Sequence, residues 1–191
     1  MNALSVVQEK RRSSSKIVFQ TILSRRSVRS FSDHRVPSNL VLQLLEAARW
    51  APSGSNLQPW SFVVVENPRL IRLVRMFAQG LAGNPSLIIV LCSEKPDLRY
   101  PLGPRSALCY NMNVAMAAEN ILIMAEALGL GACVHLSFNL MALNVILGIP
   151  DSVDLKLLVS VGYPKGKVAT PPKKRLRDMV FKEQYGERKW S

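Results

Sequence analysis

Two stretches of this 191-residue chain decide how it folds and what it binds: Arg25–Phe31, which reads RRSVRSF, and Ala51–Trp60, which reads APSGSNLQPW. The first places three guanidinium groups around a serine within five residues. The second is rich in turn-forming residues and runs directly into the apolar segment Ser61–Val65. Neither stretch has the pattern of a P-loop, an activated nucleophile or a metal site.

The basic stretch has the donors that a phosphate group prefers. A phosphate dianion is bound well by bidentate guanidinium groups, a hydroxyl and backbone N–H groups. These donors meet at one turn after a predicted helix, in Arg25, Arg26, Ser27 and Arg29. A solvated basic surface at a helix C-terminus would use the same residues, because cations complement the helix dipole there. The stretch alone leaves both interpretations open.

The composition indicates one soluble globular domain. Hydrophobic residues make up 48% of the chain and charged residues 20%. The N-terminus has no long apolar run, so no signal peptide is expected. The apolar run Val114–Leu130 contains two glutamates and an asparagine, which favours a buried helix over a membrane span. Three cysteines without CxxC spacing and only two histidines favour reduced thiols, a cytoplasmic location and no metal site.

The net charge of +12 comes from the two ends of the chain. Residues 1–29 hold seven Lys/Arg and one acid, residues 165–191 hold nine and three, and residues 30–164 balance at nine each. Basic ends suggest an anionic partner, such as a phosphate-bearing cofactor, or two solvated tails. Nucleic acid is not expected, since few aromatic residues are interleaved with the basic ones.

Helices alternate with short apolar strands, which predicts a layered α/β or α+β domain. Residues 1–14 are expected to form a flexible basic segment, and residues 15–191 one domain whose first helix begins at Ser14 or Ser15. A Pro-containing loop is expected over 93–109. The other elements are predicted as helices over 39–50, 67–79, 111–128 and 138–147, and as strands over 60–65, 87–92, 132–136 and 156–162.

Six segments in order resemble the FMN-dependent nitroreductase family over about residues 15–185. They are RRSVRSF, LLEAARWAPSGSNLQPWSFVVV, AAENILIMAEALGLGA, LNVILGIP, LLVSVGYP and KKRLRDMV. The resemblance implies an α+β fold in which a mixed sheet is flanked by helices. It also implies an intertwined homodimer that holds two FMN molecules at its interface.

The resemblance also assigns residues to the cofactor. It places the FMN phosphate and ribityl chain against Arg25, Arg26, Ser27 and Arg29, with the late basic pair Lys173 and Arg175 closing on the same phosphate. The loop that reaches the flavin of the other subunit corresponds to Pro52, Ser53, Gly54 and Asn56. Backbone N–H groups near the reactive edge of the flavin ring correspond to Leu136 and Ser137. The residues themselves leave the loop as either a site or a plain surface turn.

The chain departs from the family pattern at three places. Asn113 stands where an acidic residue is common, and Asn84 is the nearest candidate for the usual contact to the flavin edge. Residues 66–86 and 93–109 are short for a lid over the flavin. Trp60 fits core packing, and His135 fits a strand histidine with satisfied hydrogen bonds better than an acid–base group.

The implied activity is reduction of nitroaromatic, quinone or similar electron-poor acceptors by NAD(P)H. In such a ping-pong cycle FMN carries the hydride, so no catalytic side chain is needed. Two alternatives remain open at this stage. One is a non-catalytic FMN-binding or FMN-sensing flavoprotein, and the other is a dehydrogenase or dehalogenase with a different substrate.

Overall fold

The computed structural model describes residues 3–95 and 105–187, and of residues 3–12 it describes the backbone alone. Helices and strands alternate along this part of the chain. In order they are α1 (Ala3–Ser24), α2 (Ser38–Arg49), β1 (Trp60–Val65), α3 (Pro68–Met76), β2 (Leu87–Glu94), α4 (Ser106–Ala127), β3 (Gly131–His135), α5 (Leu140–Leu147) and β4 (Val153–Gly162).

Every predicted helix and strand is present, but several bounds were wrong. Helix α1 begins at Ala3, so the stretch expected to fray before Ser14 is helical as far as it is described. The predicted loop over 93–109 is shorter, because β2 continues to Glu94 and α4 starts at Ser106. Residues 96–104 of that loop lie outside the described residues. The division of the chain into a flexible segment 1–14 and a domain 15–191 stays a prediction.

The four strands form one sheet in the order β1-β2-β4-β3, and each neighbouring pair is antiparallel. A parallel direction enters at the edge, where Ser27 forms a bridge with Ala132 of β3. Further along the same segment, Phe31 forms an antiparallel bridge with Pro164. The segment after α1 therefore extends the sheet beyond β3, which confirms the predicted α+β fold with a mixed sheet.

The two faces of strand β2 divide the core. Side chains alternate across a strand, so Leu87, Ile89 and Leu91 face one layer while Ile88 and Val90 face the other. Helices α2 and α4 cover the first face, and α3 and α5 cover the second. The sheet is buried between two helical layers, as its nearly unbroken apolar strands require.

The outer helices expose much apolar surface in the single chain. The apolar residues of α2 cover most of its circumference, which predicts a central, buried helix, but the helix buries only Val41, Leu44 and Ala48. In α1, Ile17 is 66% exposed and Phe19 is 59% exposed. Helix α1 contacts α4 along one side, so this apolar surface is not covered by the described residues of its own chain. None of the described helices combines the length and the apolar character that crossing a membrane requires.

Candidate functional site

The basic segment Arg25–Arg29 lies along the edge of strand β3. The Val28 amide donates to the Ala132 carbonyl at 3.1 Å, which continues the Ser27 bridge. Gly131 permits this approach, because a Cβ at that position would lie 2.6 Å from the Val28 side chain. Two chain segments that are about a hundred residues apart in sequence therefore meet at backbone contact.

Side chains from both segments gather on one side of this edge. Burial raises the pKa of the Cys133 thiol, while the positive charge of Arg29, a hydrogen bond with Ser27 and the charge of Arg25 act against that rise. Arg29 also helps to lower the pKa of His135, for which burial is the larger cause. The predicted residues Arg25, Ser27 and Arg29 are thus brought together beside Cys133 in the middle of β3, and Arg29 also lies near His135.

The three arginines of the segment differ in their partners. Arg25 lies 3.8 Å from the Glu119 carboxylate of α4. Arg26 donates to the Leu23 carbonyl and, at 2.9 Å, to the Thr170 hydroxyl. Across the described residues, Arg29 has neither a hydrogen-bond acceptor nor a carboxylate within ion-pairing distance of its guanidinium group. Arg29 is therefore the cation of this cluster that is free to bind an anion.

Residues 136–137 follow β3 directly and are held by the turn after α3. The Gly80 amide donates to the Ser137 carbonyl at 3.2 Å, and the Asn139 amide donates to the Phe77 carbonyl at 2.7 Å. The predicted backbone donors of Leu136 and Ser137 therefore follow the last residue of β3, whereas Ser27 of the basic segment pairs with Ala132 near the start of that strand. Leu136 is exposed there, with 71% of its surface open to solvent.

The turn after α3 also touches the basic segment itself. Gly83 has φ of +78°, and a Cβ at this position would overlap the Arg29 carbonyl oxygen. Only glycine meets both demands, because other residues are strained at positive φ and carry a Cβ. The next residue, the predicted Asn84, uses its side-chain oxygen to accept from Arg75 at 2.8 Å. Asn84 thus lies beside the cluster but is engaged by α3.

The Pro52–Asn56 loop lies elsewhere, against the N-terminal part of α4. The Gly54 amide donates to the Asn113 side-chain oxygen at 3.2 Å, and a Cβ on Gly54 would lie 2.8 Å from the Cys109 sulfur. The predicted Pro52, Ser53, Gly54 and Asn56 therefore stay together as one unit. Their described hydrogen bonds run within the loop, to Gln58 and to α4, and none runs to the Arg25–Arg29 segment.

This loop has an unusual backbone. Ser55, Asn56 and Gln58 have φ of 51°, 55° and 48°, in the left-handed region that residues other than glycine seldom adopt. Hydrogen bonds from the Asn56 amide to the Ser53 carbonyl and from the Gln58 amide to the Ser53 hydroxyl hold the conformation, each at 3.0 Å. Strained backbone that is held in place in this way is characteristic of binding loops.

Asn113 explains one departure from the family pattern. It is 1% exposed, its oxygen accepts from Gly54, and its side-chain nitrogen has no partner among the described residues. The amide performs the accepting role toward the loop that a carboxylate at this position would also perform. Nothing in the sequence of α4 alone marks Asn113 as the residue that anchors the loop.

The late basic pair is separate from the cluster in this chain. Arg175 donates from Nε to the Asp178 carboxylate at 2.9 Å, and both Lys173 and Arg175 are exposed. The chain does return to the cluster just before them, since the Lys165 amide donates to the Ser30 carbonyl at 2.9 Å. The role of Lys173 and Arg175 at a phosphate stays a prediction.

Comparison with known proteins shows which protein family shares this sequence pattern. The family model described as "Nitroreductase family" matches residues 22–85 and 74–163. This chain belongs to the nitroreductase family. The matched residues include the basic segment, the Pro52–Asn56 loop and the end of β3, so the family pattern spans both parts of the candidate site.

Three relatives show how far the family likeness extends. A protein of Archaeoglobus fulgidus, provisionally assigned as an NADH dehydrogenase/NAD(P)H nitroreductase, is 36% identical over 154 residues, covering 75% of this chain and 83% of that protein. The iodotyrosine deiodinase of Haliscomenobacter hydrossis is 27% identical over 82% of this chain and 83% of its own. The solved structure of B. megaterium NfrA1 is 25% identical, with a TM-score of 0.81 over 88% of this chain and 74% of that one.

Proposed function

We propose that this nitroreductase-family protein is an FMN-dependent oxidoreductase, a cytoplasmic homodimer that uses NAD(P)H to reduce nitroaromatic, quinone or similar electron-poor acceptors. The observation that carries the proposal is Arg29, which has no partner among the described residues and lies with Ser27 and Arg25 along the strand that leads into Leu136 and Ser137. The name of the Archaeoglobus fulgidus relative, at 36% identity, supports the same activity.

The basic residues that lie along β3 fit the phosphate of FMN. A phosphate dianion needs cations without an internal counter-ion, and Arg29 has no carboxylate partner among the described residues. Arg25 has only a long contact to Glu119, at 3.8 Å, which leaves its other guanidinium donors free to turn toward a ligand. Ser27 adds a hydroxyl, and its main chain is fixed by the bridge to Ala132.

The chain's own residues would bind and orient the cofactor. Arg25, Ser27 and Arg29 would hold the phosphate, while the backbone of Leu136 and Ser137 would face the flavin ring. When bound, FMN would supply the two-electron chemistry by accepting a hydride from NAD(P)H and passing electrons to the acceptor. The exposed Leu136 leaves this region accessible to flat ring systems.

Among the described residues, the side chains nearest the site give no acid–base group of their own. Both ring nitrogens of His135 are hydrogen-bonded inside the fold, to Gly80 and to Ser160. Burial raises the pKa of the Cys133 thiol, so this cysteine is a poor nucleophile at neutral pH. The reaction that fits such surroundings takes place at the cofactor, with the protein setting position and access.

A second copy of the chain would complete the site. The described hydrogen bonds of the Pro52–Asn56 loop run to α4 and not to the basic segment, and in the proposed dimer this loop would contact the partner's cofactor. The apolar side chains of α1, including Ile17 and Phe19, would be covered in such a dimer. Sedimentation of the FMN-loaded protein at micromolar concentration should give the dimer mass, and a stable FMN-bound monomer would contradict this part of the proposal.

Reductive dehalogenation is the second candidate function. It is favoured by the likeness to the Haliscomenobacter hydrossis iodotyrosine deiodinase, which covers 82% of this chain. The two candidates share the cofactor and differ in the acceptor. An iodotyrosine substrate should therefore be assayed beside the nitroarenes and quinones.

Steady-state kinetics test the proposed reaction. Initial rates should be measured over a grid of NADH or NADPH concentrations against nitroarene, quinone or iodotyrosine concentrations. Parallel double-reciprocal lines with nitroarenes or quinones are expected, because donor and acceptor would use the same open face in turn. Turnover of iodotyrosine alone would select the second candidate. Absence of turnover with every acceptor, in protein that binds FMN, would favour a non-catalytic flavoprotein.

A further inference from the structure

A buried histidine lies between the two halves of the proposed site. His135 is the last residue of β3 and is 4% exposed. Its Nδ1 lies 2.9 Å from the Gly80 carbonyl oxygen, and its Nε2 lies 2.8 Å from the Ser160 hydroxyl. A carbonyl oxygen can only accept, so Nδ1 carries the proton and Nε2 accepts from Ser160. The surroundings thus select one neutral tautomer.

Gly80 is joined to the residues at the end of β3 through both its carbonyl and its amide. The Gly80 carbonyl accepts from His135, while the Gly80 amide donates to the Ser137 carbonyl at 3.2 Å. The turn after α3 is therefore bound to two residues of one segment, on either side of Leu136. A Cβ on Gly80 would lie 3.1 Å from the Ser137 Cβ, so the two backbones are closely packed.

The far end of this turn rests on the phosphate half of the proposed site. Gly83 packs against the Arg29 carbonyl so tightly that a side chain would not fit. A continuous path therefore runs from Arg29 through Gly83 and Gly80 to Ser137. His135 supplies one of the two described hydrogen bonds that join Gly80 to residues 135–137, and a third bond, from the Ala82 amide to the Gly80 carbonyl, lies within the turn.

We propose that His135 is a positioning residue that sets the spacing between the phosphate-binding segment Arg25–Arg29 and the ring-facing residues Leu136 and Ser137. This inference rests on the proposed function, because it concerns the same FMN site. FMN is a ligand with two ends, so both subsites must lie at a fixed separation to bind it fully. A ligand that carries only the ring has no such requirement.

The groups around His135 keep it neutral. Burial is the main cause that lowers its pKa, and the positive charge of Arg29 lowers it further, against the stabilising bond to Gly80. Protonation would need the Ser160 hydroxyl to turn away and donate to the Cys133 carbonyl at 3.4 Å. The Cys133 side chain, the remaining titratable group here, is a thiol whose pKa burial raises. Neutral His135 therefore holds Gly80 throughout the neutral pH range.

Two substitutions separate the roles of the two ring nitrogens. In His135→Asn, the amide nitrogen can take the place of Nδ1 and donate to the Gly80 carbonyl. In His135→Gln, the longer side chain reaches the Nε2 position and Ser160, but it no longer donates a hydrogen bond to the Gly80 carbonyl. The two variants have similar polarity, so they differ chiefly in whether the bond to Gly80 survives.

The decisive readout compares FMN with riboflavin, which has the same ring but no phosphate. His135→Gln is expected to weaken FMN binding about tenfold, the size of one lost buried hydrogen bond, while riboflavin binding changes less than about threefold. His135→Asn should bind both ligands nearly as the wild-type protein does. Equal weakening of FMN and riboflavin in His135→Gln would show a merely structural role and would overturn the inference.

Amide hydrogen exchange in the flavin-free protein tests, without any ligand, whether the His135 bond holds Gly80 in place. The Gly80 amide should exchange about tenfold faster in His135→Gln than in the wild-type protein, and at the wild-type rate in His135→Asn. Unchanged exchange of the Gly80 amide in His135→Gln would show that His135 does not hold Gly80 in place. If the exchange pattern holds but wild-type protein binds no FMN, the proposed function fails, and the role of His135 in spacing an FMN site fails with it.

A milder variant keeps the test available if His135→Gln does not fold. Ser160→Ala removes the donor to Nε2 and leaves the imidazole free to change tautomer, while Gly80 stays in place. FMN binding should weaken about threefold, with riboflavin binding unchanged. Wild-type FMN affinity in Ser160→Ala would contradict the requirement for one fixed tautomer.

Discussion

The Arg25–Arg29 segment and the Pro52–Asn56 loop are both irregular, yet they are held in opposite ways. The first is bound to β3 through the Ser27 bridge and to the turn after α3 through Gly83, so the sheet fixes its position. The second keeps its shape through hydrogen bonds of its own and one bond to Asn113. The first is therefore fixed by contacts to distant parts of its own chain, and the second by local bonds and one contact to α4.

The difference bears directly on how the site is assembled. A phosphate half-site built on the sheet can be rigid before any partner binds. A strained loop anchored by one buried amide depends on a single contact for its orientation. We therefore expect substitutions in the two regions to act differently, with the first changing affinity and the second changing the loop and the partner's site.

The largest effect is expected from Arg29→Ala. Arg29 is the cation without an internal partner, and charge-assisted hydrogen bonds contribute about 1.5–3 kcal/mol each. FMN affinity at low ionic strength should fall by about tenfold to a hundredfold, with little change in thermal stability. Arg69→Ala on the exposed side of α3 is the matched control. Unchanged FMN affinity in Arg29→Ala would remove the phosphate assignment from this segment.

Gly83→Ala should break the link between the basic segment and the turn. The left-handed backbone at position 83 costs a residue with a Cβ about 1–2 kcal/mol, and overlap with the Arg29 carbonyl adds to this cost. Gly129→Ala is the control, because Gly129 has φ of +71° and no heavy atom within 4 Å of the added Cβ. Denaturant unfolding should show a clearly larger loss of stability at position 83. Equal losses at both positions would contradict the described packing.

Asn113→Leu should release the Pro52–Asn56 loop. It removes the acceptor for the Gly54 amide, and loss of one such buried partner costs about 1–3 kcal/mol. Asn113→Asp keeps an oxygen for Gly54 and should retain the loop conformation near neutral pH. Hydrogen exchange of the loop amides and FMN affinity should be measured in both variants and are expected to change only in Asn113→Leu. Identical behaviour of the two variants would contradict the anchoring role of Asn113.

The smallest expected effect is on acid stability. The pKa of His135 lies below its ordinary value of 6.5 because of burial and Arg29, so the unfolded chain takes up a proton before the folded chain does. His135 should therefore stabilise the fold fully above about pH 6.5 and progressively less as the pH falls through its folded pKa. The free energy of unfolding of His135→Asn should lack this part of the pH dependence. An unchanged pH profile in that variant would contradict a buried, neutral His135.

The sequence predicts the elements well because their signals are local. The β-branched and aromatic run at β1 and the Asn67-Pro68 start of α3 both identify elements from a few neighbouring residues. The limits of α1 and α2 are harder to predict. Helix α1 begins at Ala3, well before the start at Ser14 or Ser15 that the sequence suggests, and α2 is apolar on a face that the single chain leaves exposed.

The sequence predicts only part of the candidate site, because local patterns do not show which distant residues come into contact. The clustered arginines near Ser27 are visible in the sequence as a candidate anion site, but the residues that fix the cluster are distant in sequence. Gly83, Gly131 and His135 act through close approach or a buried hydrogen bond, which depend on the packed backbone rather than on local pattern. A glycine at position 83 or 131 does not by itself reveal which chain segment approaches it.

The spectrum of the purified protein, followed anaerobically on addition of NADH or NADPH, tests the account most directly. We predict the visible absorption of bound oxidised flavin in the wild-type protein and its loss when the nicotinamide is added. The Arg29→Ala variant, purified in parallel, should carry much less flavin. A wild-type protein that binds FMN tightly but keeps its oxidised spectrum with both nicotinamides would contradict the proposed oxidoreductase.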